Sequence, residues 1–281
     1  MKNIIVAAGL ICVFAGVVCA GTISGRVVRD SDGAGIGSVT VYAYDYNTGN
    51  YVMGASTDSE GYYSITGLLS GTYRVLAGTW GTPYVSEYYD DVYDWADAAG
   101  VVVIEGQETS GIDFGLRVGG TISGRVVSDS DGAGVAGVSV YADDYNTGTP
   151  VSGASTDSDG YYSITGLHGG TYGVRADTRG TPYIWEYYND TQNPANATGV
   201  VVTEGQDTSG IDFGLAVGGT ISGRVVSDSD GAGVAGVSVD AHDYNTGNTI
   251  GGASTDSDGY YSITGVHGGT YRVRAVTRGT P

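Results

Sequence analysis

Carboxylates spaced two apart and followed by glycine recur six times in this sequence. The pairs are Asp30 and Asp32, Asp58 and Glu60, Asp129 and Asp131, Asp157 and Asp159, Asp228 and Asp230, and Asp256 and Asp258. Hard oxygen donors at such spacing suit Ca²⁺, which takes roughly six to eight oxygen ligands. Calcium is therefore the one cofactor these residues suggest. A competing reading needs no metal: Asp side chains close turns on neighbouring backbone, and Gly accepts positive φ. The full EF-hand loop with its distal bidentate Glu is absent.

A second constellation mixes rings and acids. Trp80, Tyr84, Glu87, Tyr88, Tyr89 and Trp95 lie within one loop, echoed by Tyr183, Trp185, Glu186, Tyr187 and Tyr188. Aromatic faces beside carboxylates stack on sugar rings and accept their hydroxyl hydrogen bonds, so a glycan is a candidate partner. The same residues also suit a plainer task, capping the open end of a β-sandwich and filling contacts between modules. Catalysis has little to stand on. The sequence holds no His-Glu-x-x-His, no nucleophile elbow and no phosphate-binding loop. Its three histidines are His168, His242 and His267, and the first copy of the repeat carries Leu69 where the others carry His168 and His267. A general base must be placed by geometry, and one missing from a copy is not required by the unit.

The elements that would position these groups repeat as well. Gly21-Thr22-Ile23-Ser24-Gly25-Arg26-Val27-Val28 returns from Gly120 and Gly219, a period of 120 − 21 = 99 residues. Thr57-Asp58-Ser59-Glu60-Gly61-Tyr62-Tyr63-Ser64-Ile65-Thr66-Gly67-Leu68 leads to Gly71-Thr72-Tyr73-Arg74-Val75, and this stretch returns from Thr156 and Thr255. Tyr63 and Ile65 alternate with polar neighbours, as do Tyr73 and Val75, and turn residues bound both runs. That pattern predicts a half-buried hairpin. Each copy reads as seven or eight short strands spaced about 8–15 residues apart, an antiparallel sandwich. The fold class is all-β, with tandem sandwiches at 21–117 and 118–216 and an incomplete third at 217–281. The third copy stops at Pro281, equivalent to Pro83 and Pro182, which reads as a fragment of a longer frame. Copies two and three differ at only nine of 63 aligned positions, among them Tyr141 against Asp240 and Asp143 against His242. Short junctions at Arg117-Val118-Gly119-Gly120 and Ala216-Val217-Gly218-Gly219 predict a semi-rigid rod.

Residues 1–20 read as a secretory signal: Lys2, an apolar run from Ile4 to Val18, and Val18-Cys19-Ala20 before Gly21. The run is too short for a comfortable membrane span. Cys12 and Cys19 both lie in that segment, so the mature chain would hold no disulfide or thiolate metal site. The only lysine leaves with it, giving 11 Arg against 31 acids, or 11 − 31 = −20. Such a surface repels nucleic acid and anionic membranes. Fifty Gly and 23 Tyr fit short strands and tight turns. Asn189-Asp190-Thr191 and Asn196-Ala197-Thr198 are N-glycosylation sequons.

The opening strand, the Asp-rich turn and the Thr-Asp-Ser-Glu-Gly-Tyr-Tyr run followed by Gly-Thr-Tyr together resemble the carboxypeptidase regulatory-like domain. The match covers roughly residues 21–80 of each copy. It is also similar to the B-type repeats of bacterial surface adhesins and to starch-binding-like folds. The resemblance implies a transthyretin-like (prealbumin-like) seven-stranded Greek-key sandwich. It places Tyr63, Ile65, Leu68, Tyr73 and Val75 in the core, with Gly61, Gly67 and Gly71 at turns. Two family features do not carry over. The lysine-asparagine crosslink of adhesin repeats has no lysine to use, and the zinc peptidase domain of carboxypeptidases is not in the sequence. The expectation is a secreted or cell-surface, non-enzymatic repeat protein, a spacer, stalk or adhesive array. Its partners would be neighbouring modules, a glycan or a surface protein. A carbohydrate-binding array and an accessory region of a larger secreted enzyme are the alternatives.

Overall fold

The computed structural model describes residues 20–276, and the expected signal segment lies outside them apart from Ala20. One compact unit takes the residues up to 120 with 165–169 and 203–206; the other takes 121–164, 170–202 and those from 207 on. The described residues are almost entirely strand and turn, and among them is one 3₁₀ turn at Pro194–Asn196.

The first copy shows how the pattern folds. Its strands are β1 (Gly21–Arg29), β2 (Thr40–Asp45), β3 (Tyr51–Ser56), β4 (Tyr62–Leu68), β5 (Gly71–Gly78), β6 (Glu87–Tyr88), β7 (Val101–Val103), β8 (Glu108–Thr109) and β9 (Phe114–Leu116). One sheet runs β4-β1-β8, with β9 also on β1; the other runs β3-β2-β5-β6, with β7 also on β5. Between them lie Ile23, Val27, Val41, Ala43, Tyr63, Ile65, Leu68, Tyr73, Val75, Val101, Val103, Phe114 and Leu116, all at most 5% exposed and all in one cluster. Alternation along each strand supplies these residues, since successive side chains point to opposite faces.

Two features depart from the sequence expectation. The run Tyr62 to Val75 is not a hairpin. β4 pairs with β1 (Ile23 opposite Ile65), while β5 pairs with β2 (Ala43 opposite Val75). The turn between them carries the chain from one layer to the other, so their buried faces meet although their backbones do not pair. The pairing is also not wholly antiparallel. β1 is flanked in parallel by β8 at Thr22 and Ile23 and by β9 at Val27 to Arg29. The hairpin expected at Asn47 to Asn50 does form, with Asp45 N–H donating to Asn50 O at 2.9 Å and β2 pairing with β3.

Local chemistry fixes the register. Gly67 adopts φ +90°, which favours glycine. The pairing slips there, between Gly21 and Thr22, so that Leu68 rather than Gly67 enters the core. Buried Thr57 clamps the turn before β4: its Oγ1 donates to Ile36 O at 2.6 Å and accepts from Val39 N at 3.0 Å. Thr156 and Thr255 make the same pair of bonds. Tyr63 buries its ring and donates its hydroxyl to Ile112 O at 2.6 Å, as Tyr162 does to Ile211 O at 2.5 Å. In the third copy, as far as it is described, Val273 is 45% exposed where Val75 and Val174 are fully buried.

The Tyr63 bond joins β4 to the segment leading into β9. Tyr63→Phe should lower stability by about 1–3 kcal/mol, because it leaves a buried carbonyl without its donor. Urea unfolding of the two chains measures the difference.

Candidate functional site

The acidic pairs are occupied first by their own turns. Asp58 Oδ1 accepts from the backbone N–H of Glu60 and of Tyr62, both at 2.9 Å. Asp157 and Asp256 repeat both bonds. Asp32 Oδ1 accepts from Ala34 N at 3.0 Å while its Oδ2 pairs with Arg29 at 2.7 Å; Asp131 caps Ala133 in the same way. Glu60 and Asp159 contribute backbone carbonyls, which accept from Arg26 and Arg125 at 2.8 and 2.9 Å. Asp30 and Asp129 follow β1 and its counterpart, their backbone N–H groups donating to Leu116 O and Leu215 O. Among the described residues no group of three His, Cys, Asp or Glu side chains is placed to hold a metal ion.

The aromatic loop splits in two. Tyr89 turns inward and meets Phe114 edge-on at 6.3 Å, and Tyr188 does the same with Phe213 at 6.2 Å. Tyr84 packs at the core margin and accepts from Arg29 Nε at 3.2 Å, while Tyr183 forms a backbone bridge with Val217. Trp80, Tyr88 and Trp95 lie outside, on the face of the β3-β2-β5-β6 sheet. There they join residues the sequence reading passed over. Trp80 meets Tyr42 at 5.6 Å, Trp95 meets Tyr44 at 5.6 Å and Tyr88 at 5.7 Å, and Tyr51 meets both Tyr42 and Tyr44 at 6.0 Å. The Arg74 guanidinium sits over Trp95 at 4.6 Å and over Tyr46 at 3.8 Å. A signal existed: Tyr42 and Tyr44 alternate with buried Val41 and Ala43, so they had to face outward.

The same face in the second copy has changed chemistry. Asp143 stands where Tyr44 stood, Arg175 for Leu76, Asp177 for Gly78, Arg179 for Trp80 and Trp185 for Ser86. Arg175 Nε binds Asp143 Oδ2 at 2.7 Å, its Nη1 reaches Asp177 at 3.5 Å, and Arg179 holds Asp177 at 2.7 Å. Burial works to raise the Asp177 carboxyl, but hydrogen bonds and charge from Arg179 with the charge of Arg175 outweigh it and keep the group below its usual range. Trp185 meets Tyr187 edge-on at 5.9 Å.

Glu87 and Glu186 are not at a solvent-facing site. They are 1% and 7% exposed, and in each Oε1 has no hydrogen-bond partner. Burial and the neighbouring charge of Asp91 push Glu87 up to about 7 against the pull of Arg117. Burial with Asp190 and Asp129 does the same to Glu186. Glu87 Oε2 receives Tyr93 Oη at 3.5 Å, and Tyr93 in turn is held by Arg117. The loop beyond is tightly wound, with Asp90 and Asp91 at φ +77° and +57° and Asn189 and Asp190 at +69° and +58°.

Sandwich, repeat length and turn chemistry agree with one family profile, which matches residues 22–117, 121–216 and 220–280. The chain belongs to the carboxypeptidase regulatory-like domain family. It is 29% identical over 278 residues to serine-aspartate repeat-containing protein D of Staphylococcus aureus, covering 89% of this chain and 21% of that protein. Against serine-aspartate repeat-containing protein F of Staphylococcus epidermidis it is 31% identical over 163 residues, 54% of this chain and 9% of the relative. The chain thus spans about a fifth of the relative it matches over most of its length. Similar solved structures include the minor pilin of Streptococcus agalactiae, at 17% identity and TM-score 0.34 over 73% of this chain and 99% of that one. The shaft pilin of Lactobacillus rhamnosus GG matches at 9% identity and TM-score 0.30, over 71% and 98%. Among the described residues no helix is long and apolar enough to cross a membrane.

Two measurements follow from this regulatory-like array. If the acidic pairs serve only their turns, millimolar Ca²⁺ leaves the melting temperature unchanged; a rise that saturates with concentration would mark a cation site. The buried glutamates set a pH dependence. With a folded pKa near 7 and an unfolded value of about 4.3, the folded state favours the protonated form. Stability then falls as pH rises from about 4 through 7, and the penalty is complete above that. Glu87→Gln should raise stability at pH 8 by on the order of 1–2 kcal/mol, with the gain fading towards pH 4. Thermal melts across that range read it directly.

Proposed function

We propose that this chain is a secreted or cell-surface, non-enzymatic scaffold. Its repeats act as a mechanical spacer and present weak contacts whose avidity multiplies along the array. The observation that carries the reading is a junction made twice in the same way, each time inside one compact unit. Gly119 N–H donates to Pro83 O at 2.8 Å and Val85 N–H to Arg117 O at 3.0 Å. Gly218 donates to Pro182 O at 2.8 Å and Ile184 to Ala216 O at 2.9 Å. The next β4-type strand then seats on the same loop: Thr165 Oγ1 donates to Thr82 O at 3.1 Å, and Thr264 Oγ1 to Thr181 O at 2.9 Å.

Glycine is required at that seat. Gly166 and Gly265 have φ +73° and +71°, and a Cβ there would lie 2.5 and 2.4 Å from the carbonyl oxygens of Tyr84 and Tyr183. A backbone-bonded junction resists reorientation where a flexible linker would not. The family assignment and the serine-aspartate repeat relatives support an array of this kind, and the engagement of the acidic turns with their own backbone supports a structural use for those residues.

A spacer must bear load one module at a time. Pulled from its ends, the chain should give separate unfolding events, with contour gains of about 30 nm for each of the first two copies at roughly 3.4 Å per residue. Featureless extension at low force would contradict the mechanical role.

A further inference from the structure

The second unit contains a cleft with the makings of a binding site. Asp143, Arg175, Asp177, Arg179, Trp185 and Tyr187 line a cavity of about 460 Å³, with Thr249 and Ile250 completing the lining. Trp185, Tyr187, Thr249 and Ile250 also line an adjoining cavity of about 930 Å³, to which Gln192, Asn193, Thr246 and Asn248 bring amides and hydroxyls and Asp190, Asp243 and His267 bring ionisable groups. Both volumes fall in the ordinary range of ligand sites.

One residue lining the smaller cavity has an atom unaccounted for. Asp143 is 3% exposed; its Oδ2 is taken by Arg175 Nε, yet its buried Oδ1 has no hydrogen-bond partner. A buried carboxylate oxygen left without a donor is costly. A bound hydroxyl would supply that donor. The cavity's charges balance, two acids against two arginines, so a neutral ligand enters without an unpaired charge. Trp185 offers the apolar wall beside these polar groups. The first copy cannot build this cleft, because Tyr44, Leu76, Gly78, Trp80 and Ser86 occupy the equivalent positions. There Ser86 turns to Thr79 instead, at 2.9 Å.

We propose that this cleft binds a neutral saccharide. A sugar ring stacks on Trp185, one hydroxyl donates to Asp143 Oδ1, and the Arg175 guanidinium and Asp177 carboxylate engage neighbouring oxygens. The proposal goes beyond the scaffold reading and does not depend on it, since force unfolding reads the repeats and saccharide binding reads the cleft.

Affinity electrophoresis of the full chain through gels containing dextran, mannan, xylan or hydroxyethylcellulose tests it, with polygalacturonate as the anionic comparison. At least one neutral polysaccharide should retard the chain. Trp185→Ala should weaken that retardation by on the order of tenfold, the loss of an aromatic anchor, and Asp143→Asn should weaken it as well. Leu69→Ala, at an exposed turn of the first copy, should leave it unchanged. Circular dichroism confirms that each variant is folded; if Trp185→Ala is not, Asp143→Asn decides, together with quenching of the Trp185 fluorescence by the retarding sugar in a Trp80→Phe, Trp95→Phe background. No retardation by any neutral polymer, retardation by polygalacturonate alone, or retardation indifferent to both cleft substitutions would each overturn the proposal.

Discussion

Everything in each complete copy depends on keeping β1 covered on both edges and on one face. Ile23 and Val27 have no exposed surface. They stay buried because β4 pairs along one edge of the strand, β8 and β9 along the other, and the β2-β5 layer lies across the face. The segment that supplies β8 and β9 begins almost eighty residues after β1, so each sandwich closes only when the end of its own sequence returns to the beginning. Tyr63, bonded to Ile112 O, joins the two flanks of β1 across that interval. With both cysteines inside the first twenty residues, this closure by packing and hydrogen bonds replaces any covalent staple in the described chain.

Because the inner faces are held by packing, most variation between the first two copies falls outside the sandwich core. Val41, Ala43 and Val75 keep their counterparts in Val140, Ala142 and Val174, all fully buried. Their outward neighbours exchange rings for charges: a T-shaped cluster of Tyr42, Tyr44, Tyr51 and Trp80 in the first copy gives way to the Asp143-Arg175-Asp177-Arg179 network in the second. A substitution on the outer face costs little stability, whereas one in the core costs several kcal/mol by cavity or overpacking. Such an array can change what it displays without changing how it folds.

The buried faces were legible in the sequence because period-2 alternation reports which side of a strand is dry. Tyr63, Ile65, Tyr73 and Val75 all enter the core as that pattern requires. Strand partners were not legible: alternation is silent on hydrogen bonding, so two runs sharing a core looked like a hairpin when they belong to opposite sheets. The parallel β1 neighbours were hidden for a related reason, since β8 is only two residues long and β9 three. For the candidate site, residue type found Trp185 and Tyr187 but not Asp143 or Arg175. Those two look like ordinary strand positions until the sheet brings them beside the loop. Glu87 and Glu186 misled in the other direction, because acids beside tyrosines suggested a surface and the fold buried them.

The most direct test of this account is methyl-to-methyl contact between layers in solution. Nuclear Overhauser measurements on the first copy should link the methyls of Ile23, Val27, Ile65 and Leu68 to those of Val41 and Val75, with the backbone of Ile23 opposite that of Ile65. If the backbone of Ile65 instead lies opposite that of Val75 as a paired cross-strand neighbour, or if these methyls contact only solvent, the two-layer closure around β1 is wrong.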